Sequence, residues 1–258
     1  MQALVSIISD WKNHDYYLPL LKASVMHLVP DVKFFDVTHN IPAFSYQRAG
    51  FILRCTYKSL PAGSIHLVCV NTEAGPDNPY VVIRHKSHYF VGTDNGVFGV
   101  IFDRAPETII HVFPDEIDFP SFPCVSVYSK IAGFILQGGR IEELGTAASD
   151  VHRKTGLSPS IEPGTITGHI MYVDSYNNGI TNISRELFDK HIGSKDFNIF
   201  VNSNFNKVSR IYTAYNQVAS GELVVLFNSM GLLEIAVRDD DAASLLNLDK
   251  KALITIKF

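Results

Sequence analysis

The stretch Ile65-His66-Leu67-Val68-Cys69-Val70-Asn71-Thr72-Glu73-Ala74-Gly75-Pro76-Asp77-Asn78-Pro79-Tyr80-Val81-Val82-Ile83 decides the fold. Its first six residues form an apolar, β-branched run of strand length, which reads as a buried strand. Asn71 to Pro79 then turn polar and collect one Gly and two Pro, the composition of a loop. A second apolar run begins at Tyr80. Open α/β sheets hold their chemistry in loops at the carboxyl ends of buried strands, so Asn71–Pro79 is the first candidate site segment.

Working outward toward the amino terminus, Ala3 to Ile8 reads as a strand that stops at Ser9-Asp10. Tyr16 to Leu28 carries Leu18, Leu20, Leu21, Val25 and Leu28 at near-helical spacing. Val32 to Val37 reads as a strand and Tyr46 to Tyr57 as a second helix. Strand, helix, strand, helix, strand implies right-handed crossovers and a mostly parallel sheet flanked by helices. In the other direction, Tyr80–Ile83 and His88–Gly92 resemble a hairpin. Val127 to Leu136 predicts a helix ended by Gly138-Gly139. Asp150 to Gly164 shows little apolar periodicity, and short β-type runs follow: Ile166–Val173, Phe197–Val201, Leu223–Phe227, Leu232–Val237 and Leu253–Phe258. The expected organisation is an α/β domain over 1–150, a linker over 151–164 and a small β-barrel domain over 165–258.

Composition narrows the function classes. The 258 residues are 46% hydrophobic and 19% charged, with a formal net charge of -4. No basic surface suited to nucleic acid or an anionic membrane is expected from that balance. Cys55, Cys69 and Cys124 are dispersed and odd in number, which argues against a disulfide framework and a structural zinc site. The His residues show no ligand spacing, so no metal is expected. The opening apolar segment is too short to span a bilayer and lacks a signal-peptide pattern, which makes the cytoplasm the expected location.

Four polar clusters lie at strand ends or turns: Ser9-Asp10 with Asp15, Asp36-Val37-Thr38-His39, Thr93-Asp94-Asn95-Gly96, and Asp174 to Asn182. Each has an ordinary structural reading. Asp10 suits a helix cap, Asp94-Asn95-Gly96 a turn tolerant of positive φ, and His39 a satisfied hydrogen-bonding residue. Taken in order, however, they resemble the S-adenosyl-L-methionine hydroxide adenosyltransferase family, which also includes fluorinases and chlorinases. That family runs T-D-F-G, D-I-T-H, V-V-D-P-G-V-G-T-x-R, P-D-N-G, F-H-G-R-D, D-x-F-G-N-x-x-T-N-I and N-S-x-G-x-L-E-I-A. The matches here are Ser9-Asp10, Asp36 to His39, Asp94-Asn95-Gly96, Asp174-x-Tyr176-x-Asn178-x-x-Thr181-Asn182-Ile183, and Asn228 to Ala236.

The resemblance implies an α/β domain, a β-barrel domain, and a homotrimer whose sites form between subunits. It implies in-line attack on the ribose C5′ of S-adenosyl-L-methionine by water or halide, releasing L-methionine, with no cofactor. Asp10 matches the carboxylate that takes the ribose diol, and Asp15 and Asn95 join the candidate substrate-binding set from their clusters. Asp174 matches the acceptor of the methionine ammonium; Tyr176 and Asn178 match the aromatic and amide that flank adenine. Phe44 replaces an aromatic that shields the sugar, Ser229 lies where the amino-acid end binds, and Ala242 lies near a backbone contact to adenine.

The loop after Val70 departs from the family's hydrolases, whose water is handled by an Asp, an Arg and a His. Asn71 stands at the Asp position, Asp77 or Asn78 at the Arg position, and Pro123 at the His position. Neither an amide nor a proline can act as a base near neutral pH. The candidate catalytic residues left are Asn71, Glu73 and Cys124. Two readings follow: a hydrolase with a rewritten water-activating loop, or a catalytically impaired trimer that binds adenosine or S-adenosyl-L-methionine. Halogenation is third, because a thiol at Cys124 is a poor substitute for the hydroxyl of a halide pocket.

Overall fold

The computed structural model describes residues 4–102, 104–153, 158–249 and 251–258. The chain divides into two compact units, Met1–Lys154 and Thr155–Phe258. Of the segment 151–164 expected as a linker, 154–157 lie outside the described residues, and Ser160–Glu162 form a strand of the second unit.

The first unit runs β1 (Leu4–Ser9), α1 (Tyr17–Leu28), β2 (Lys33–Thr38), α2 (Tyr46–Thr56), β3 (Ile65–Cys69), β4 (Tyr80–His85), β5 (His88–Thr93), α3 (Val97–Ile101), β6 (Thr108–Val112), α4 (Ser129–Leu136) and β7 (Thr146–Ala147). They make one seven-stranded sheet in the order β2-β1-β3-β5-β4-β6-β7. The β2-β1-β3-β5 portion is parallel, and β4, β6 and β7 pair antiparallel.

Alternation along the strands explains why helices cover both faces. Val5, Ile7, Leu67 and Cys69 point to one face, where Leu21 and Val25 of α1 and Ile131 and Ala132 of α4 complete the core. Ile8, Val68 and Val70 point to the other, against Ala49 and Leu53 of α2 and Val97, Phe98 and Ile101 of α3. The helix expected from Val127 starts as regular α-helix only at Ser129, because Cys124–Tyr128 ahead of it wind at π-helical pitch. It ends at Leu136, and Gly138 just beyond, at φ 90°, makes the left-handed stop, with the N–H of Gly139 donating to the carbonyl of Phe134.

The second unit runs β8 (Ser160–Glu162), β9 (Thr165–Val173), β10 (Gly179–Ser184), α5 (Arg185–His191), β11 (Asn198–Val201), β12 (Lys207–Val208), β13 (Leu223–Phe227), β14 (Leu232–Val237), α6 (Ala242–Leu246) and β15 (Leu253–Lys257). Its antiparallel sheet, ordered β12-β11-β15-β9-β10-β14-β13 with β8 on β9, curls into a nearly closed barrel. Ile166, Ile183, Ile199, Leu233, Ile235, Ile254 and Ile256 fill its interior. Among the described residues, no helix is long and apolar enough to cross a membrane.

Candidate functional site

Parallel pairing brings the polar strand ends together. Ser9 pairs with Cys69, Ile8 with Thr38 and Leu67 with Val91, so Asp10, His39, Asn71 and Asp94-Asn95 all emerge at one sheet edge. Ser9 Oγ lies 2.8 Å from His39 Nδ1, and both residues are buried. Burial holds the His39 pKa below its ordinary value, against the opposing charge of Asp36, so the ring is a neutral hydrogen-bonding group. Asp10 does not cap α1. Its Oδ2 accepts from the N–H of Phe44 at 2.9 Å, holding that residue at φ 61° with its ring 71% exposed. A bulky side chain rarely adopts the left-handed region, and the Asp10 carboxylate supplies the compensation.

The loop that follows Val70 is tied down by its neighbours. Asn71 is itself left-handed, at φ 50°. Asn95 Nδ2 donates to the carbonyls of Val70 and Asn71 at 3.1 and 2.7 Å, while its Oδ1 accepts from Val97 N. Asn95 is therefore more than a turn former: it stitches the end of β5 to the end of β3. Thr93 Oγ1 donates to the carbonyl of Thr72 at 2.8 Å and lies 2.8 Å from the Tyr128 hydroxyl. Because the single Thr93 proton goes to Thr72, Tyr128 must be the donor to Thr93. Burial pushes the Tyr128 pKa well up, consistent with a fixed neutral donor. Farther along, Asn78 Nδ2 donates to the carbonyl of Glu73 at 2.9 Å, and Gly75 and Asn78 exchange two backbone bonds.

Pro123 and Cys124 are buried. Burial, then contact with Cys69, pushes the Cys124 thiol well up, with Thr72 donating a weaker opposing hydrogen bond. Such a thiol is a neutral group and not a thiolate nucleophile. The contacts with Cys69 and Thr72 place Cys124 against the loop, and Phe122 stacks edge-on with Trp11 at 5.2 Å, next in sequence to Asp10. Glu73, Asp77 and Asp15 are exposed, and Asp15 lies on the segment leading to α1. Among the described residues, no group of three or more His, Cys, Asp or Glu is arranged to hold a metal ion.

A second polar constellation occupies the loop between β9 and β10. Asp174 Oδ1 accepts from the N–H groups of Tyr176 and Asn178, each at 2.9 Å, an Asx-type turn that leaves the Tyr176 ring 79% exposed. Asn177 sits at φ 62°, and its carbonyl accepts from Ala243 N at 2.9 Å. Ala242, the first residue of α6, is buried in the core of the second unit, and it is the next residue, Ala243, that reaches the loop. Asn228 Oδ1 accepts from Met230 and Leu232 N–H groups, shaping the turn that exposes Ser229. Asn178 Nδ2 reaches Glu234 Oε1 at 3.3 Å, and the Tyr215 hydroxyl donates to the same oxygen at 2.5 Å.

Sequence reasoning missed Thr72, Tyr128 and Tyr215, the bonding role of Thr93 and the partnership of Glu234. A buried-strand hydroxyl or acid is a weak signal by itself; only the acid inside Leu232-Leu233-Glu234-Ile235-Ala236 breaks its apolar run visibly.

These features define a two-domain α/β-plus-barrel protein with polar constellations at the carboxyl edge of its parallel strands and on a barrel turn. Models of the SAM hydroxide adenosyltransferase N-terminal and C-terminal domains match residues 5–145 and 168–255, and the chain belongs to that family. It is similar to the (R)-S-adenosyl-L-methionine hydrolase of Methanocaldococcus jannaschii, 24% identical over 95% of this chain and 92% of the relative. The enzyme of the same name from Thermus thermophilus is 25% identical over 95% of each chain. A crystal structure of an uncharacterized conserved protein from Thermotoga maritima matches with a TM-score of 0.84 at 25% identity, covering 98% of this chain and 100% of that one.

Proposed function

We propose that this chain hydrolyses S-adenosyl-L-methionine to adenosine and L-methionine by in-line attack of water on C5′, using a water-handling loop of its own. The observation that carries the reading is the convergence of Asp10, Asn71 and the Cys124–Thr72 contact at one sheet edge, in a family whose named relatives are such hydrolases. The reaction asks little of acid catalysis. As the water oxygen bonds to C5′, the C5′–S bond breaks and a neutral thioether departs with its electron pair, cancelling the sulfonium charge. The protein must hold the ribose, exclude bulk water and aim one nucleophile. Asp10, with lone pairs beyond the one given to Phe44 N, suits a ribose diol. The Asn71 amide orients water, Glu73 takes its proton, and the neutral Cys124 thiol forms wall.

Losing a dedicated general base lowers rates by about 10²–10⁴, so slow turnover is expected. Chromatography of the protein incubated with S-adenosyl-L-methionine should give adenosine and methionine in equal amounts, slower still in Glu73→Gln. Absence of product above the solvent control, over hours at high protein concentration, refutes hydrolysis. The exposure of Glu73 and the lack of a base at Asn71 and Pro123 favour a second reading, an impaired nucleoside-binding protein. Calorimetric binding of adenosine without turnover would select it. The proposal includes a homotrimer, tested by light scattering, the absence of any cofactor, and cytoplasmic residence, which the free thiols of Cys55, Cys69 and Cys124 support.

A further inference from the structure

Glu234 is a carboxylate in the wrong place for a surface acid. It lies in β14, whose six residues are all buried, and pairs across the sheet with Ile180 and Leu226. It is 3% exposed. Taking a carboxylate out of water is costly unless hydrogen bonds replace the lost hydration. Here the replacements are neutral: the Tyr215 hydroxyl at 2.5 Å and Asn178 Nδ2 at 3.3 Å, both on Oε1. The Tyr215 pKa is raised by burial and then by Glu234, so the phenol keeps its proton and donates.

The consequence falls on Asn178. Its backbone is fixed, because its N–H is held by Asp174 Oδ1 and the carbonyl of Asn177 is held by Ala243 N. With the backbone held, a half-turn of the side-chain amide about its Cβ–Cγ bond exchanges a donor for an acceptor. Nδ2 faces Glu234 Oε1 at 3.3 Å and Asp174 Oδ2 at 3.5 Å. Glu234 Oε1 already accepts from the Tyr215 hydroxyl and the Asp174 carboxyl from two backbone N–H groups, so both neighbours stand as acceptors and face the NH2 end. The flipped amide would set its oxygen against two carboxylates. Oδ1 is thereby the group left for a ligand, and it can only accept.

We infer that Glu234, itself held by the Tyr215 hydroxyl, is a positioning residue that turns the Asn178 amide so the β9–β10 loop selects ligands presenting a donor. The inference rests on the loop being the purine end of the nucleoside site proposed above. Among purines, the exocyclic amine of adenine meets the acceptor, whereas the carbonyl of hypoxanthine opposes it. Asp174 alone cannot impose this choice, because Oδ2 is the more distant of the two oxygens and Oδ1 is committed to two backbone N–H groups.

Calorimetry with adenosine and inosine tests it on the full-length protein, Glu234→Gln and Tyr215→Phe. The wild type is expected to prefer adenosine by about tenfold or more, the usual effect of opposing a buried acceptor with another acceptor. In Glu234→Gln the new amide can present either end to Asn178, and the preference should shrink to within about threefold, inosine gaining affinity. Tyr215→Phe, at a residue 45% exposed and therefore lenient to folding, should shrink it partway. A merely structural loss would weaken both nucleosides together and leave the ratio unmoved; that result in either variant overturns the inference. Should Glu234→Gln fail to fold, the ratio in Tyr215→Phe decides. Equal affinities in the wild type overturn the inference alone, whereas no binding of either nucleoside overturns the nucleoside-site reading as well.

Discussion

Acidification should destabilise the first unit through His66. This ring is fully buried, with Nδ1 2.6 Å from Ser6 Oγ and Nε2 3.0 Å from His88 Nδ1, and it packs beside Tyr57 and Phe90. Burial first, and the neighbouring His88 second, lower its pKa from 6.5 to about 3. The folded ring thus stays neutral at pH values where an unfolded one takes a proton. Since the unfolded chain binds more protons across that window, stability is full above pH 6.5 and falls as pH drops toward 3. Each pH unit in the window is worth about 1.4 kcal/mol, so acidification from 6.5 to 5 removes about 2 kcal/mol. That is a large share of the 5–15 kcal/mol typical of a domain. Trp11, the single tryptophan, lies in the same unit and reports its unfolding by fluorescence. Urea titrations at pH 7 and pH 5 should show the wild type losing about 2 kcal/mol more than His66→Gln, which carries no titrating ring. Equal losses in the two proteins would refute the assignment.

Three further outcomes are expected. Asn95→Ala removes both carbonyl contacts to Val70 and Asn71, and should lower stability by about 2 kcal/mol in Trp11-monitored urea titrations while slowing any turnover; unchanged values on both counts would contradict the stitching role. Asp10→Ala frees Phe44 from φ 61° and removes the diol acceptor, so KM for S-adenosyl-L-methionine should rise about tenfold or more, and an unchanged KM refutes it. Gly168→Ala in β9 would put a methyl 2.5 Å from Asn182 Oδ1 and 2.6 Å from Ile183, destabilising the barrel by about 1–3 kcal/mol in urea titrations followed by circular dichroism. An unaltered midpoint would show that the strand yields there.

The fold was legible where one period dominated. The Ile65–Val70 run, the leucines of α1 and the Tyr80–Gly92 hairpin announce themselves, and so does the β-rich second half. Elements too short to show a period were not: α3 offers only Val97–Ile101, and β6 places His111 inside Thr108–Val112. Gly179–Ser184 looked like a polar motif because Thr181 and Asn182 are buried polar residues within β10. The site divided in the same way. Asp10, Asn71, Asn95, Asp174 and Asn178 sit at strand ends, where composition changes abruptly. Tyr128 on Thr93, Cys124 against Cys69, and Tyr215 on Glu234 join residues 35, 55 and 19 positions apart, pairings set only by sheet register and helix docking.

Hydrolysis at C5′ is tested most directly by incubating the protein with S-adenosyl-L-methionine in water enriched in oxygen-18 and weighing the released adenosine by mass spectrometry. Water attacking that carbon predicts adenosine carrying the heavy isotope on its 5′ hydroxyl at the enrichment of the solvent, with methionine released in step. No adenosine, or adenosine without the label, would contradict the account.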